Sequence, residues 1–138
     1  MSRIAVVGAG SWGTALALVL ARRGDHSITL WSHTRLVAET MERTRENSIY
    51  LPRLPIPESI RITTNLEEAV SLAEILILVV PSEHLRGICS TIAPLLNRNQ
   101  LIVNATKGIE EGTCLRMTQV IAEVLAQYHL DLPCGVLR

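Results

Sequence analysis

Apolar residues in this chain occur in short blocks separated by charged and turn-rich segments. Short runs of Ile, Leu and Val predict strands buried on both faces, and stretches with helical periodicity between them predict helices. The most apolar block, at 74–80, predicts a central strand. The predicted strands are 3–7, 27–31, 61–64, 74–80, 100–105 and 133–137, and the predicted helices are 14–23, 36–45, 66–72, 83–96 and 114–128.

One segment, 47–59, interrupts this alternation. Three prolines at Pro52, Pro55 and Pro57 predict that it is a loop, and the strand after it is expected at an edge of the sheet. Elsewhere strands and helices alternate, which predicts an α/β fold with a doubly wound, mostly parallel sheet, helices on both faces and strand order 3-2-1-4-5-6. Because the chain stops on a predicted core strand, we expect a piece of a longer protein.

Composition narrows the class of protein. The length of 138 residues suits one domain, and an apolar fraction of 48% without any Phe suits an aliphatic core. The balance of 13 basic and 13 acidic residues favours neither nucleic acid nor an anionic membrane as a partner. No apolar run reaches the ~18 residues of a membrane-spanning helix. A strand-like run from Ile4 leaves no room for a signal peptide, and the separated Cys89, Cys114 and Cys134 suggest reduced thiols in a cytoplasmic protein without a metal site.

A glycine-rich segment with the pattern G-x-G-x-x-G follows the first predicted strand and opens the first predicted helix. In that context Gly8 permits a tight turn, Gly10 lets the backbone approach a pyrophosphate, and Gly13 lets the helix pack closely on the sheet. The start of the helix offers free N–H groups and partial positive charge to an anion. The segment therefore predicts a dinucleotide-binding Rossmann domain over 1–138.

The end of the second predicted strand favours one cofactor. NAD sites usually place an acidic residue there, whereas this chain has Ser32, His33, Thr34 and Arg35, and its first carboxylate is Glu39 within the next helix. These four polar side chains are suited to donating hydrogen bonds to a 2′-phosphate, Arg35 as a charged fork. The pattern favours NADP(H) over NAD(H); the alternative is an ordinary polar loop.

Four segments together resemble one protein family. They are 8–17 (GAGSWGTALA), 46–52 (ENSIYLP), 79–82 (VVPS) and 104–110 (NATKGIE). In order and spacing they are similar to the bacterial NAD(P)-dependent glycerol-3-phosphate dehydrogenases through nearly the whole chain. The first segment is generic, but E-N-x-x-Y-L-P and N-A-T-K-G-I-E are much more specific.

The resemblance implies reversible hydride transfer between NAD(P)H and dihydroxyacetone phosphate, giving sn-glycerol 3-phosphate for phospholipid synthesis. In this family a lysine of a helical C-terminal domain is the general base, and that domain supplies most contacts to the substrate phosphate. Its opening motif, G-P-S/T-F-A, would follow Leu137, where this sequence has only Arg138. We therefore expect no catalytic residue in 1–138, dinucleotide binding without turnover, and a possible homodimer through the missing domain.

The resemblance also implies contacts for single residues. Ser11, Trp12 and His33 would contact the cofactor, Tyr50 would lie along its site, and Lys107 would lie where cofactor and substrate meet. Each has an alternative from the sequence alone: a helix N-cap for Ser11, core packing for Trp12, a solvated loop side chain for His33 and Lys107, and interdomain packing for Tyr50.

Lys107 follows the predicted strand 100–105, at the edge of the sheet where ligands of open α/β sheets collect. An ammonium there can polarise a carbonyl or stabilise an oxygen that becomes charged during hydride transfer. After the central strand, Pro81 and Ser82 are expected to form scaffold and cofactor wall.

Two further functions remain open. Another two-domain NADP dehydrogenase, such as a ketopantoate reductase or a 6-phosphogluconate dehydrogenase relative, shares the N-terminal design but does not characteristically carry N-A-T-K-G-I-E. A non-catalytic dinucleotide sensor has a Rossmann domain of this size. Against the sensor stand the missing acid after the second strand and a Lys107 motif that would have no role.

Overall fold

Six parallel strands form the centre of the molecule in a computed structural model that describes residues 1–137. The strands are β1 (Ser2–Val7), β2 (His26–Trp31), β3 (Glu46–Asn47), β4 (Leu51–Pro55), β5 (Ile60–Thr63), β6 (Ile75–Leu78), β7 (Leu101–Asn104) and β8 (Cys134–Val136). The main sheet has the order β5-β2-β1-β6-β7-β8, and all of its pairs are parallel. Counting only these six strands, the order is 3-2-1-4-5-6, as predicted.

Helices cover both faces of this sheet. They are α1 (Ser11–Ala21), α2 (Arg35–Thr44), α3 (Leu66–Ser71), α4 (Ser82–Ile92) and α5 (Met117–Gln127). One buried cluster contains side chains of α1 and α2 together with Ile4 and Val6, and the other contains side chains of α3, α4 and α5 together with Ala5 and Val7. Because successive residues of β1 enter opposite clusters, the strand is buried on both faces, as its unbroken apolar run predicted.

The helix ends differ from the predicted ones for local reasons. Helix α1 begins at Ser11, directly after its N-cap Gly10 and three residues earlier than predicted. Helix α5 begins at Met117 rather than at residue 114, since Cys114 has a left-handed backbone with φ of 59°. No helix within residues 1–137 combines the length and the apolarity that crossing a bilayer requires.

The prediction of a loop over 47–59 was partly wrong. Strands β3 and β4 pair antiparallel there in a separate two-stranded sheet, with Asn47 opposite Leu51 and an irregular register. Proline cannot donate to a ladder, but a two-stranded sheet leaves an outer edge on each strand, and Pro52 and Pro55 are tolerated in β4 for that reason. The hairpin lies against α1, close to the glycine-rich segment.

Candidate functional site

A cleft of about 490 Å³ opens beyond the carboxyl ends of β1, β2 and β6. The strand order reverses between β1 and β6, and open α/β sheets bind ligands at such a reversal. The lining residues come from the turns after these strands, the hairpin and α4: Gly8, Ala9, Gly10, Trp31, Ser32, His33, Thr34, Tyr50, Val79, Val80, Pro81, Glu83, His84, Gly87 and Ile88. No Lys or Arg belongs to this lining, so within the described chain backbone N–H groups must supply most of the attraction for an anion.

The first and last glycines of the fingerprint are required by the fold itself. Gly8 has a φ of 130°, and a Cβ added to it would overlap the carbonyl oxygen of Val79. A Cβ added to Gly13 would overlap the carbonyl oxygen of Gly8. These two residues bring the start of α1 close to the end of β6, which closes one side of the cleft.

Gly10 is different, because nothing in the described chain explains why it is glycine. Apart from atoms of Gly10 and its two chain neighbours, a Cβ on it would have no atom of the described chain within 4 Å, and its φ of −75° is accessible to any residue. It caps α1 without a side-chain hydrogen bond, and the first N–H groups of a helix have no acceptor within the helix. Open space beside free donors fits a pyrophosphate approaching the backbone.

Ser11 and Trp12, the two residues after Gly10, do not have the alternative roles that the sequence left open, which were an N-cap for Ser11 and core packing for Trp12. Ser11 is the first residue of α1 and not its N-cap, and its hydroxyl donates to the carbonyl oxygen of Tyr50 at 2.7 Å. Trp12 is 43% exposed, so the core-packing alternative is wrong. It does not belong to the cleft lining either.

The polar segment after β2 forms one wall of the cleft. Ser32 is buried, and its hydroxyl donates to the carbonyl oxygen of Thr34 at 3.0 Å, so this group shapes the turn. His33 is exposed, and its ring centroid lies 6.0 Å from that of Trp31. His33 and Thr34 thus remain the polar side chains of this wall that are exposed at the cleft.

Arg35 begins α2 beside this wall and lines a second, smaller pocket of about 310 Å³ together with Thr63 and Thr64. Its Nε donates to Oε1 of Glu39 at 2.8 Å, and the two side chains are 85% and 59% exposed. An exposed pair of this kind contributes only about 0.3–0.5 kcal/mol, so a phosphate can compete for the guanidinium.

Tyr50 is the hairpin's contribution to the cleft. The residue is 48% exposed, while its backbone is held by two hydrogen bonds, from its N–H to Oδ1 of Asn47 at 3.2 Å and from the hydroxyl of Ser11 to its carbonyl oxygen. Asn47 did not emerge from the sequence as a functional residue, although it belongs to the specific E-N-x-x-Y-L-P segment. The lining residues Glu83 and His84 of α4 were missed as well, and their position directly after Pro81 and Ser82 was the available signal.

Lys107 lies in the loop after β7, exposed at the rim and outside the cleft lining. The preceding Thr106 is buried, and its hydroxyl accepts from the N–H of Val80 at 3.1 Å, which ties the loop to the end of β6. Gly108 has a φ of 107°, and a Cβ on it would lie 3.7 Å from the side chain of Ser82 at the start of α4. The loop therefore follows the cleft edge beside Pro81 and Ser82.

The same loop is anchored again at Glu110. Arg86 of α4 donates to both carboxylate oxygens, at 2.8 and 2.9 Å, and the hydroxyl of Thr113 donates at 2.6 Å. These donors lower the pKa of Glu110 to about 2, and the carboxylate in turn raises the pKa of Arg86. Lys107 is thus held between two fixed points, Thr106 and Glu110.

No group of three His, Cys, Asp or Glu side chains suited to a metal ion occurs within residues 1–137. The titratable side chains of the cleft are those of His33, Tyr50, Glu83 and His84. The arrangement is suited to binding an elongated anion along the backbone.

Comparison with known proteins agrees with the sequence resemblance. The family model described as "NAD-dependent glycerol-3-phosphate dehydrogenase N-terminus" matches residues 3–138. The glycerol-3-phosphate dehydrogenase [NAD(P)+] of Acidobacterium capsulatum is 49% identical over 140 residues, covering 99% of this chain and 41% of that protein. That of Koribacter versatilis is 46% identical over 125 residues, covering 91% and 37%.

A solved structure gives the same result. The crystal structure of glycerol-3-phosphate dehydrogenase from Coxiella burnetii superposes with a TM-score of 0.88 at 35% identity, covering 98% of this chain and 40% of that one. The chain therefore spans about 40% of the length of the proteins that it matches.

Proposed function

This chain belongs to the NAD-dependent glycerol-3-phosphate dehydrogenase family, whose N-terminal domain it forms, and we propose that its cleft binds NADP(H) or NAD(H). The observation that carries this proposal is Gly10, whose missing side chain leaves open space beside the free N–H groups of α1. Family membership supports this function over that of another two-domain dehydrogenase or of a non-catalytic sensor.

The cofactor would extend across the reversal of the sheet. Its pyrophosphate would lie on Gly10 and the start of α1, and its adenosine end would lie at His33 and Thr34. Its nicotinamide end would lie beyond the end of β6, beside Pro81 and the loop that carries Lys107. This placement uses the turns after β1, β2 and β6, which all contribute to the cleft lining.

NADP(H) is the favoured cofactor. No acidic residue follows β2 directly, and Arg35 is exposed beside the wall where a 2′-phosphate would lie. The competing partner of Arg35 is an exposed carboxylate, Glu39, which a doubly charged phosphate can replace.

The activity of the whole protein would be hydride transfer between NAD(P)H and dihydroxyacetone phosphate, giving sn-glycerol 3-phosphate for phospholipid synthesis. The bound nicotinamide supplies or accepts the hydride. Lys107 would polarise the substrate carbonyl from the cleft rim. A helical C-terminal domain would supply a lysine as general base, most contacts to the substrate phosphate and a homodimer interface, in a cytoplasmic enzyme.

Titration of the chain with NADPH and with NADH, followed by nicotinamide fluorescence, tests the proposal. We expect NADPH to bind more tightly, and Arg35→Ala to weaken NADPH about tenfold, because a charge-assisted hydrogen bond is lost, while NADH affinity changes by less than about twofold. The matched control is Arg43→Ala at the other end of α2, which should change neither affinity.

Each other outcome has a definite meaning. Equal affinity for both cofactors would refute the NADP(H) preference and leave the cleft assignment standing. If neither cofactor bound this chain or a longer chain that includes the proposed C-terminal domain, the assignment of the cleft would be refuted.

A further inference from the structure

Asn47 is a buried polar residue that the proposed cofactor contacts do not use. It ends β3 and is 1% exposed, yet its side chain makes three hydrogen bonds. The amide nitrogen donates to the carbonyl oxygen of Ala9 and to Oγ1 of Thr14, both at 2.9 Å, and Oδ1 accepts from the N–H of Tyr50 at 3.2 Å. One carboxamide thus joins the glycine-rich segment to the hairpin, across 38 residues of sequence in the case of Ala9.

The bond to Ala9 fixes the orientation of a peptide group in the cleft wall. In a planar trans peptide the C=O of one residue and the N–H of the next point in opposite directions. Because the Ala9 oxygen is directed at Asn47, the N–H of Gly10 is directed away from it. Ala9 and Gly10 line the cleft and Asn47 does not, so this bond leaves the Gly10 N–H free for a ligand.

The other end of the bridge holds the backbone of Tyr50. Its N–H is bound by Asn47, and its carbonyl oxygen is bound by Ser11 at 2.7 Å. The hairpin is therefore tied to α1 twice, by Ser11 at Tyr50 and by Thr14 at Asn47. The aromatic ring of Tyr50 stands at the cleft without a side-chain hydrogen bond of its own among the described contacts.

We propose that Asn47 is a positioning residue for dinucleotide binding: without touching the ligand, it orients the Ala9–Gly10 peptide so that the Gly10 N–H meets the pyrophosphate, and it holds Tyr50 at the cleft. The proposal rests on the proposed function. It assigns a physical role to the Asn of the E-N-x-x-Y-L-P segment, which the cofactor contacts leave unexplained.

Gln100 offers a matched control. It is also buried, its amide nitrogen donates to the carbonyl oxygens of Val70 at 2.8 Å and Ala73 at 2.7 Å, and its Oε1 accepts from the N–H of Asn97 at 2.8 Å. It directly precedes β7, so it lies at the amino ends of the parallel strands, whereas the cleft lies at their carboxyl ends. Asn47→Ala and Gln100→Ala thus each remove a buried carboxamide with three bonds, but only one of them is connected to the cleft.

The experiment compares two ligands by chemical-shift titration of the labelled chain. ADP-ribose carries a pyrophosphate, whereas adenosine carries no phosphate. Neither ligand has a 2′-phosphate, so the comparison does not depend on a preference for NADP(H). We expect Asn47→Ala to lower the affinity for ADP-ribose about tenfold and the affinity for adenosine by less than about twofold, because only the pyrophosphate is bound by the oriented N–H of Gly10. Gln100→Ala should change neither affinity beyond about twofold, although it should also lower the midpoint of urea unfolding.

The outcomes separate the proposal from its premise. Equal losses on both ligands, or a loss no greater than that of Gln100→Ala, would overturn the positioning role. If the wild-type chain bound neither ligand, the proposed function would fail first. If Asn47→Ala does not fold, Asn47→Ser replaces it, and the amide resonance of Gly10 is measured. The Ala9–Gly10 peptide loses its bond to Asn47 in this variant, so the resonance should shift. A Gly10 resonance at its wild-type position would overturn the proposal.

Discussion

Gly8, Gly10 and Gly13 belong to one short motif, yet each residue meets a different physical constraint. A Cβ on Gly8 or Gly13 would overlap backbone atoms of the protein, whereas a Cβ on Gly10 would have no described atom within 4 Å beyond its chain neighbours. The first two are therefore constraints on stability, and we propose that the third is a constraint on binding.

This difference predicts opposite effects for two alanine substitutions. Gly13→Ala should lower the free energy of unfolding by about 1–3 kcal/mol, because the new Cβ forces α1 away from the Gly8 carbonyl. Gly10→Ala should change it by less than about 0.5 kcal/mol, since its φ and its surroundings accept a methyl group. It should still weaken ADP-ribose about tenfold by displacing the pyrophosphate from the backbone.

Urea unfolding and ligand titration on the same two variants check this prediction. The interpretation of Gly10 is wrong if Gly10→Ala binds ADP-ribose as tightly as the wild type. A fully stable Gly13→Ala would mean instead that the packing of α1 on the sheet adjusts at little cost.

At the scale of elements, the loop between β7 and α5 is held from two directions. Thr106 ties its start to the end of β6, and Glu110 ties its middle to Arg86 of α4. The exposed Lys107 thus has little freedom in its backbone even though its side chain is in solvent. The specific segment N-A-T-K-G-I-E contains both anchors as well as the lysine between them.

The anchor at Glu110 predicts a pH dependence. The pKa of Glu110 is about 2 in the folded chain against an ordinary value of 4.5, so the pair with Arg86 stabilises the fold above pH 4.5 and loses this effect as the pH falls towards 2. Glu110→Gln should therefore be less stable than the wild type at pH 7, and the difference should shrink as the carboxyl of the wild type is protonated.

Urea unfolding of both proteins at pH 7, 4 and 2.5 measures that difference. The neighbouring Glu111 is exposed and serves as the control, and Glu111→Gln should follow the wild type at every pH. A stability difference for Glu110→Gln that stays constant between pH 7 and 2.5 would contradict the ion-pair explanation.

At the scale of the whole molecule, the described chain forms a cleft beyond the carboxyl ends of β1, β2 and β6, in which we propose that the cofactor binds. Lys107 stands at the rim in solvent, and the titratable lining is limited to His33, Tyr50, Glu83 and His84. Hydride transfer to a carbonyl needs a positioned proton donor and exclusion of water, and an open rim provides neither. The chain also spans only 41% of the relative from Acidobacterium capsulatum.

We therefore predict that this chain binds NADPH but does not oxidise it in the presence of dihydroxyacetone phosphate. Absorbance of the reduced nicotinamide gives the rate. The positive control is a longer chain that includes the C-terminal domain proposed above, which should turn over and lose its activity in Lys107→Ala. Measurable reduction by this chain alone would show that the further domain is not needed for the chemistry.

Much of the fold could be predicted from the sequence, and so could the centre of the site. The positions of six strands and their order follow from the spacing of apolar residues and from the alternation with helices, both confirmed by the sheet. The glycine segment lies in the cleft lining, where we propose that the phosphates of the cofactor bind. The hairpin was predicted as a loop because prolines dominate its second strand, and only its isolation from the main sheet makes them acceptable.

The sequence by itself determined the features that depend on residues close together in the chain. These are the spacing of buried positions, the geometry of turns and the glycines that let α1 lie close to β6. Only the tertiary structure decided that Asn47 binds Ala9, that Arg86 binds Glu110, and that Ser11 holds Tyr50 instead of capping its helix. These contacts join residues 24 to 39 positions apart. A single sequence does not encode such pairs as a local pattern, because each forms only after the sheet has placed the ends of its strands side by side.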